Sequence, residues 1–199
     1  GIFPESIFFD CHSFHGRITD DPNFRPTAVA NPGRPIPSGM PPYNDENMIM
    51  LAAAARVVAP NLAQRFERDS RAFHQAMTRD RAAALTAAGT LRETARALAT
   101  AFTGAPVNRA QTFAIIDTIT SQAISPRFTD YAGSVQAVMA TDTLLSSLVA
   151  EGRISAGAAN RIRPDINAAY RAVRDPNQYS PGDFRASLGR AAGAIRRLR

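Results

Sequence analysis

The chain has 199 residues, 45% of them hydrophobic, no tryptophan and four tyrosines. That length holds one domain with a real core, or one domain and an arm. All 23 basic residues are arginine, against 17 acids, for a net charge of +6. One cysteine, Cys11, excludes an intramolecular disulfide framework, and no apolar run approaches membrane-spanning length, so no membrane partner is expected.

The charge is unevenly placed. Residues 1–50 carry three arginines against six acids, a net of −3. Residues 51–150 carry ten against seven, a net of +3, and residues 151–199 carry ten against four, a net of +6. A GC-rich genome, which favours Arg and Ala codons together, would account for the missing lysine. It does not account for the gathering of arginines at one end.

Residues 1–43 read as an extended arm. Seven prolines between Pro22 and Pro42 each remove a backbone donor and restrict the preceding residue. Ahead of them, "IFPESIFFDCHSF" is aromatic and β-branched enough for one short strand. Such an arm has almost no hydrogen-bonding pattern of its own. Stiff before docking and acidic against a basic body, it is expected to strap neighbouring copies of the chain together.

Residues 44–199 read as an all-α body, an irregular bundle of about six to seven helices. Asn44 or Asp45 caps a first helix to Ala59, and Pro60 suits the first turn of the next. Leu62, Phe66, Phe73, Met77 and Ala84 fall on one face, with Gly89 as the stop. "TLRE" (Thr90 to Glu93) has the form of a capping box opening a helix to about Phe102. "GAPVN" breaks that helix, and Asn108 caps one containing Phe113, Ile116, Ile119 and Ile124.

Ser125-Pro126 and Ser180-Pro181 each place a capping hydroxyl before a proline at the first helical position. Between them a helix is expected to end near Glu151-Gly152, and another to be interrupted at Arg163-Pro164. The last helix carries Phe184, Leu188, Ala191, Ile195 and Leu198 along one stripe. Alanine supplies much of the apolar content, so a thin core is expected, one that association with further copies would thicken.

Chemistry-bearing residues are few. "DCHSFH" places Asp10, Cys11, His12 and His15 together, where a thiolate and imidazoles would serve as a nucleophile or part of a metal site. Zinc needs three or four ligands, the only other histidine is His74, and the spacing fits no zinc pattern. The cluster therefore reads as a buried cysteine and two histidines, with no catalytic residue, metal or cofactor assigned. "RFERDSRAFHQAMTRDR" (Arg65 to Arg81) mixes signs at helical spacing, which usually means a solvated face. "GRAAG" (Gly189 to Gly193) lacks a preceding strand and a phosphate-loop lysine.

The C-terminal arginines are the stronger feature. Arg153, Arg161, Arg163, Arg171, Arg174, Arg185, Arg190 and Arg196 precede the terminal Arg197 and Arg199. The planar guanidinium matches phosphate in bidentate fashion, and such a surface binds nucleic acid without reading its sequence. Pairing with Asp165, Asp175 and Asp183 is the competing expectation for several of them.

The expectation is thus a structural assembly subunit, a viral coat or nucleoprotein, in the virion or the host cytoplasm, with copies of itself and nucleic acid (RNA or DNA) as partners. A non-assembling basic nucleic-acid-binding protein of the cytoplasm is the alternative. An enzyme or toxin built on Cys11, His12 and His15 is a third.

Overall fold

The protein is described by a computed structural model that covers residues 43–104, 106–125 and 131–199. Among these residues all regular structure is helical, in seven α-helices and one 3-10 turn. The expected arm, its possible strand and the Cys11/His12/His15 cluster lie outside the described residues, as does Pro126 of the first Ser-Pro pair.

Helix α1 (Glu46–Val58) is buried on two sides. Ile49 and Ala53 enter one core and Ala52 and Ala55 the other. Its alanine run suits this place, because a small side chain lets helices approach from both directions. Helix α2 (Pro60–Met77) follows after Ala59 alone, with Pro60 at its first position, where the missing N–H costs nothing.

The expectation for the next stretch needs correction. The chain does not run on through Ala84 to a stop at Gly89. Helix α2 ends at Met77, the chain turns over Thr78–Asp80, and α3 runs from Arg81 to Gly104 straight through Gly89 and Thr90. The turn is stabilised by Thr78, whose hydroxyl donates to the Gln75 carbonyl at 2.8 Å, and by Asp80, which accepts from the Ala83 N–H at 2.8 Å. "TLRE" forms no capping box; the Thr90 hydroxyl donates back to the Thr86 carbonyl within the helix. A mid-helix glycine costs only about 1 kcal/mol, and burial of Leu91, Thr94 and Leu98 outweighs it.

Helix α4 (Arg109–Ala123) opens on the expected Asn108 cap. The Asn108 side chain accepts from the Gln111 N–H at 2.9 Å, and the Gln111 side chain accepts from the Asn108 N–H at 3.0 Å. Its β-branched residues are helical because Phe113, Ile115, Ile116 and Ile119 all reach the core. Helix α5 (Tyr131–Ala150) ends where expected, at Gly152 with φ +67°. The Gly152 and Arg153 N–H groups bond back to Val149 and Leu148, which a residue with a Cβ reaches only under strain.

Helix α6 (Ala156–Ala172) is a second correction. It is continuous through Pro164, with no interruption after Arg163. Pro164 is on the exposed side, while Ala158, Ala159, Ile162, Ile166 and Ala169 bury the other, so packing holds the helix together across the proline. After the 3-10 turn Pro176–Gln178, α7 (Pro181–Arg196) begins as expected, with the Ser180 side chain accepting from the Asp183 N–H. Phe184, Leu188, Ala191 and Ile195 are buried and Leu198 is half-buried.

Helices α4 to α7 and one face of α1 enclose the larger core, rich in Ile, Leu and Val. The α2–α3 hairpin covers the other face of α1 and encloses a smaller core around Phe66, Phe73 and Leu98. Among the described residues no helix is long and apolar enough to cross a membrane.

Candidate functional site

The eight arginines singled out in the C-terminal part divide into two groups. Three are struts between helices, and the fourth, Arg153, ties the turn after α5 to the segment before α4. Arg163 bonds Asp142 and donates to Ser146 Oγ at 2.9 Å, fixing α6 to α5. Arg190 donates to Asp165 at 2.8 Å, fixing α7 to α6, and Arg196 pairs with Asp117 and Ser121, fixing α7 to α4. Arg153 pairs with Glu151 at 2.6 Å and donates to the Val107 carbonyl at 3.1 Å. Tyr170 joins the Asp142–Arg163 network; burial first, and then the Asp142 carboxylate, pushes its phenol above the ordinary range.

The other four, Arg161, Arg171, Arg174 and Arg185, make no hydrogen bond or ion pair with the described residues. Arg161 and Arg171 share the outward side of α6, and Arg174 follows in the exposed turn after it. Arg185 is half-buried on a different helix, α7, on the turn-spaced side that also carries Arg196. Of the competing partners, Asp165 is engaged by Arg190, whereas Asp175 caps the 3-10 turn.

The basic C-terminus is held from α4. Arg109 donates to the Leu198 carbonyl at 2.7 Å and to the Arg153 carbonyl at 3.2 Å, and its guanidinium is 4.8 Å from the Phe113 ring centre. Arg197 and Arg199 remain exposed beside it.

A second basic surface was missed by the sequence reading. Arg79, Arg81, Arg92 and Arg96 are exposed and have no carboxylate partner among the described residues. Arg81, Leu85, Arg92 and Arg96 follow one outward stripe of α3, and Leu85 is 60% exposed. The net +3 of residues 51–150 was the available signal.

The mixed-charge stretch is more than a solvated face. Asp69 is buried between α2 and α3 and accepts from Thr94 Oγ1 at 2.6 Å and from Arg68 at 3.0 Å. His74 is buried as well, and its Nε2 is 2.7 Å from Asp45 Oδ2. Asp45 therefore stands at the start of α1 without capping it, its carboxylate turned to α2. Tyr43 stacks edge-on against Phe73 and His74, and its phenol is pushed up by burial and by the Asp45 and Glu46 carboxylates.

These residues frame a groove. One stripe of α1 (Asp45, Met48, Ile49, Ala52, Arg56) faces one stripe of α2 (Glu67, Ser70, Arg71, His74), and Gln122 at the end of α4 closes it. Two polar rungs cross it, His74–Asp45 at one end and Arg56–Glu67, 2.5 Å, at the other. The cavity measures about 120 Å³. Among the described residues no group of three or more His, Cys, Asp or Glu is placed to hold a metal ion.

The position of His74 and Asp69 was legible in principle. Both fall on the turn-spaced face of α2 that carries Phe66, Phe73 and Met77, and a buried titratable group needs a partner. The identity of those partners, 29 and 25 residues away, was not. Comparison with family models, with curated proteins and with solved structures finds no match.

Proposed function

We propose that this protein is a structural subunit that packs nucleic acid, a coat or nucleoprotein chain that binds phosphates through arginine. The observation that carries this reading is the surplus of exposed arginine without a carboxylate partner among the described residues. Arg161, Arg171 and Arg174 form one such surface and Arg81, Arg92 and Arg96 another. Side chains of this kind neutralise phosphate and release its counterions, which gives affinity without base recognition. The strut arginines Arg163, Arg190 and Arg196 would in this reading build the body and leave binding to the others.

The test is fluorescence anisotropy with a labelled single-stranded oligonucleotide across a salt series, alongside electron microscopy of the native material with and without nuclease. With about four phosphates engaged, log K should fall against log salt with a slope of roughly −3 on a single strand. Regular particles carrying nuclease-protected nucleic acid are expected. A flat salt response would sink the nucleic-acid part of the reading.

One observation favours the alternative, a basic nucleic-acid-binding protein that does not assemble. Leu85 and Met139 are the only large hydrophobic side chains exposed among the described residues, so this surface needs no second copy to cover it. Sedimentation of the nucleic-acid-free chain separates the two: a monomer at micromolar concentration supports the alternative.

A further inference from the structure

We propose that residues Glu5 to Asp10 dock along the outward face of α3 of the same chain, with the two carboxylates on Arg81 and Arg92 and with Ile7, Phe8 and Phe9 over Leu85. The docking does not depend on nucleic-acid binding. Where phosphate is bound as proposed above, it and the segment exclude each other on α3.

The starting point is an apolar side chain set among charges that nothing offsets. Leu85 is 60% exposed and shares the outward stripe of α3 with Arg81, Arg92 and Arg96, none of which has a partner among the described residues. The one acid of α3, Glu93, is turned about 100° round the helix from Arg92, to the edge of the stripe. A single exposed leucine is too little for a second helical body to pack on, but it suits a short segment of chain. The other basic surface lacks this centre, since α6 exposes no large apolar side chain beside Arg161 and Arg171.

The N-terminal sequence carries the complement. Residues 1–16 hold two acids, Glu5 and Asp10, and no arginine, and "ESIFFD" sets Ile7, Phe8 and Phe9 between the two. No other pair of successive acids in residues 1–42 encloses large apolar residues without an arginine. Acid, apolar, acid therefore stands against base, apolar, base. Arg81 and Arg92 are about 16 Å apart along the helix axis. Glu5 and Asp10 come about 16 Å apart on an extended chain. The long guanidinium side chains reach to either side of such a segment and bind carboxylate in bidentate fashion.

The start of the described chain favours the same place. Tyr43 packs edge-on against Phe73 and His74 near the C-terminal end of α2, and α3 starts just beyond the following turn, at Arg81. The 32 residues from Cys11 to Pro42 span at most about 110 Å, so reach is no obstacle. A tether of this kind holds the segment at about 1 mM beside its own α3, far above the concentration of a neighbour's α3 in a micromolar solution.

The experiment uses the full chain with a nitroxide on Cys11, its one cysteine and the residue after Asp10. Amide resonances of α3 from Ala82 to Arg92 should lose about half of their intensity relative to the reduced label, as expected for a contact of about 1 mM affinity held at that concentration. The loss should shrink at least about twofold near 1 M salt, where exposed charges are screened. Glu5→Gln with Asp10→Asn should shrink it as well. Leu85→Ser and Arg92→Ala, both at exposed positions, leave the fold intact by circular dichroism and should do the same. A check without the label is the Leu85 methyl resonance, which should shift on Phe8→Ala. An isotope-labelled chain mixed with a nitroxide-bearing one should show no loss. The proposal is overturned if α3 keeps its full intensity and the Leu85 methyl does not move, or if the loss falls on another helix instead. It is also overturned if salt and the acid-to-amide variant leave the loss unchanged, or if the loss appears in the mixture, which would place the segment on a second copy. No nucleic acid is present, so this outcome is separate from that of the oligonucleotide salt series.

Discussion

The two cores of this molecule are built from different materials. Nine buried residues make up the core under the α2–α3 hairpin, and four of them, Ala52, Ala55, Ala63 and Ala84, are alanine. The larger core of α4 to α7 has twenty buried residues, six of them alanine, and is dominated by large side chains such as Ile115, Ile116, Leu145, Leu148, Ile166, Phe184 and Leu188. The thin core expected from composition is therefore most marked under the α2–α3 hairpin. In that region, buried polar contacts tie the helices together: Asp69 with Thr94 across the hairpin, and His74 with Asp45 from α2 to α1. Alanine lets helices come close enough for short side chains to bond across the gap, and the bonds restrain helices that apolar area alone holds weakly.

The comparison breaks most readily at its aromatic anchors. Phe184 is fully buried, and Phe184→Ala should cost about 4 kcal/mol in denaturant unfolding. Phe66→Ala, in the smaller core, should cost about 3 kcal/mol. Hydrogen exchange distinguishes their reach. With Phe66→Ala, amides of α2 and α3 should lose protection while those of α4 to α7 keep it. Uniform loss across all seven helices would mean that α1, buried on both sides, locks the two regions into one cooperative unit.

Asp69→Ala sharpens the polar half of the comparison. It removes a charge-assisted bond to a buried threonine and the anchor of Arg65 and Arg68, both of which are largely exposed. Because those arginines can turn to water, the loss should be about 2 kcal/mol, the cost of one such bond, with the Thr94 hydroxyl left only its longer 3.4 Å bond to the Thr90 carbonyl. A loss below about 0.5 kcal/mol would show that the hairpin is held by its apolar contacts alone.

The same contrast governs what could be read in advance. Helix starts at Asn108 and at Ser180-Pro181, and the stop at Gly152, were legible because each is settled within a few residues of chain. Gly89 and Pro164 misled because their local penalties are small beside the burial of Leu91, Leu98, Ile162 and Ile166 on the same helices. The arginines of the C-terminal part were legible as a group but not as individuals. Whether Arg190 meets Asp165, or Arg161 meets nothing, depends on helix pairing that no local pattern encodes. The α1–α2 groove was illegible for the same reason: Gln122 reaches it from a helix about 50 residues further along the chain than Ser70.

The two basic surfaces should also differ in use. Replacing Arg161, Arg171 and Arg174 together by alanine, and separately Arg81, Arg92 and Arg96, should leave the fold unchanged, because none of the six has a partner in the described structure. If each triple engages two or three phosphates, either set should lower oligonucleotide affinity about tenfold near 0.1 M salt and flatten the salt slope by about two. An effect confined to the α6 set would place binding in the C-terminal part. An effect confined to the α3 set would move it to the hairpin.

The smallest change is expected at a strut. Arg190 is 57% exposed and its partner Asp165 is 29% exposed, so the pair is well solvated and screened by salt. Arg190→Ala should cost no more than about 0.5 kcal/mol and should leave oligonucleotide affinity within twofold, since its guanidinium is already occupied. Arg163 is less exposed and bonds both Asp142 and Ser146, so the same substitution there should cost more, about 1 kcal/mol. Equal effects at the two positions would mean that the bonds count for little and that the arginine stems, packed along α6 and α7, provide the contact. A large loss of nucleic-acid affinity at Arg190 would show instead that the α6–α7 face exchanges Asp165 for phosphate, and that the division between struts and binders does not hold.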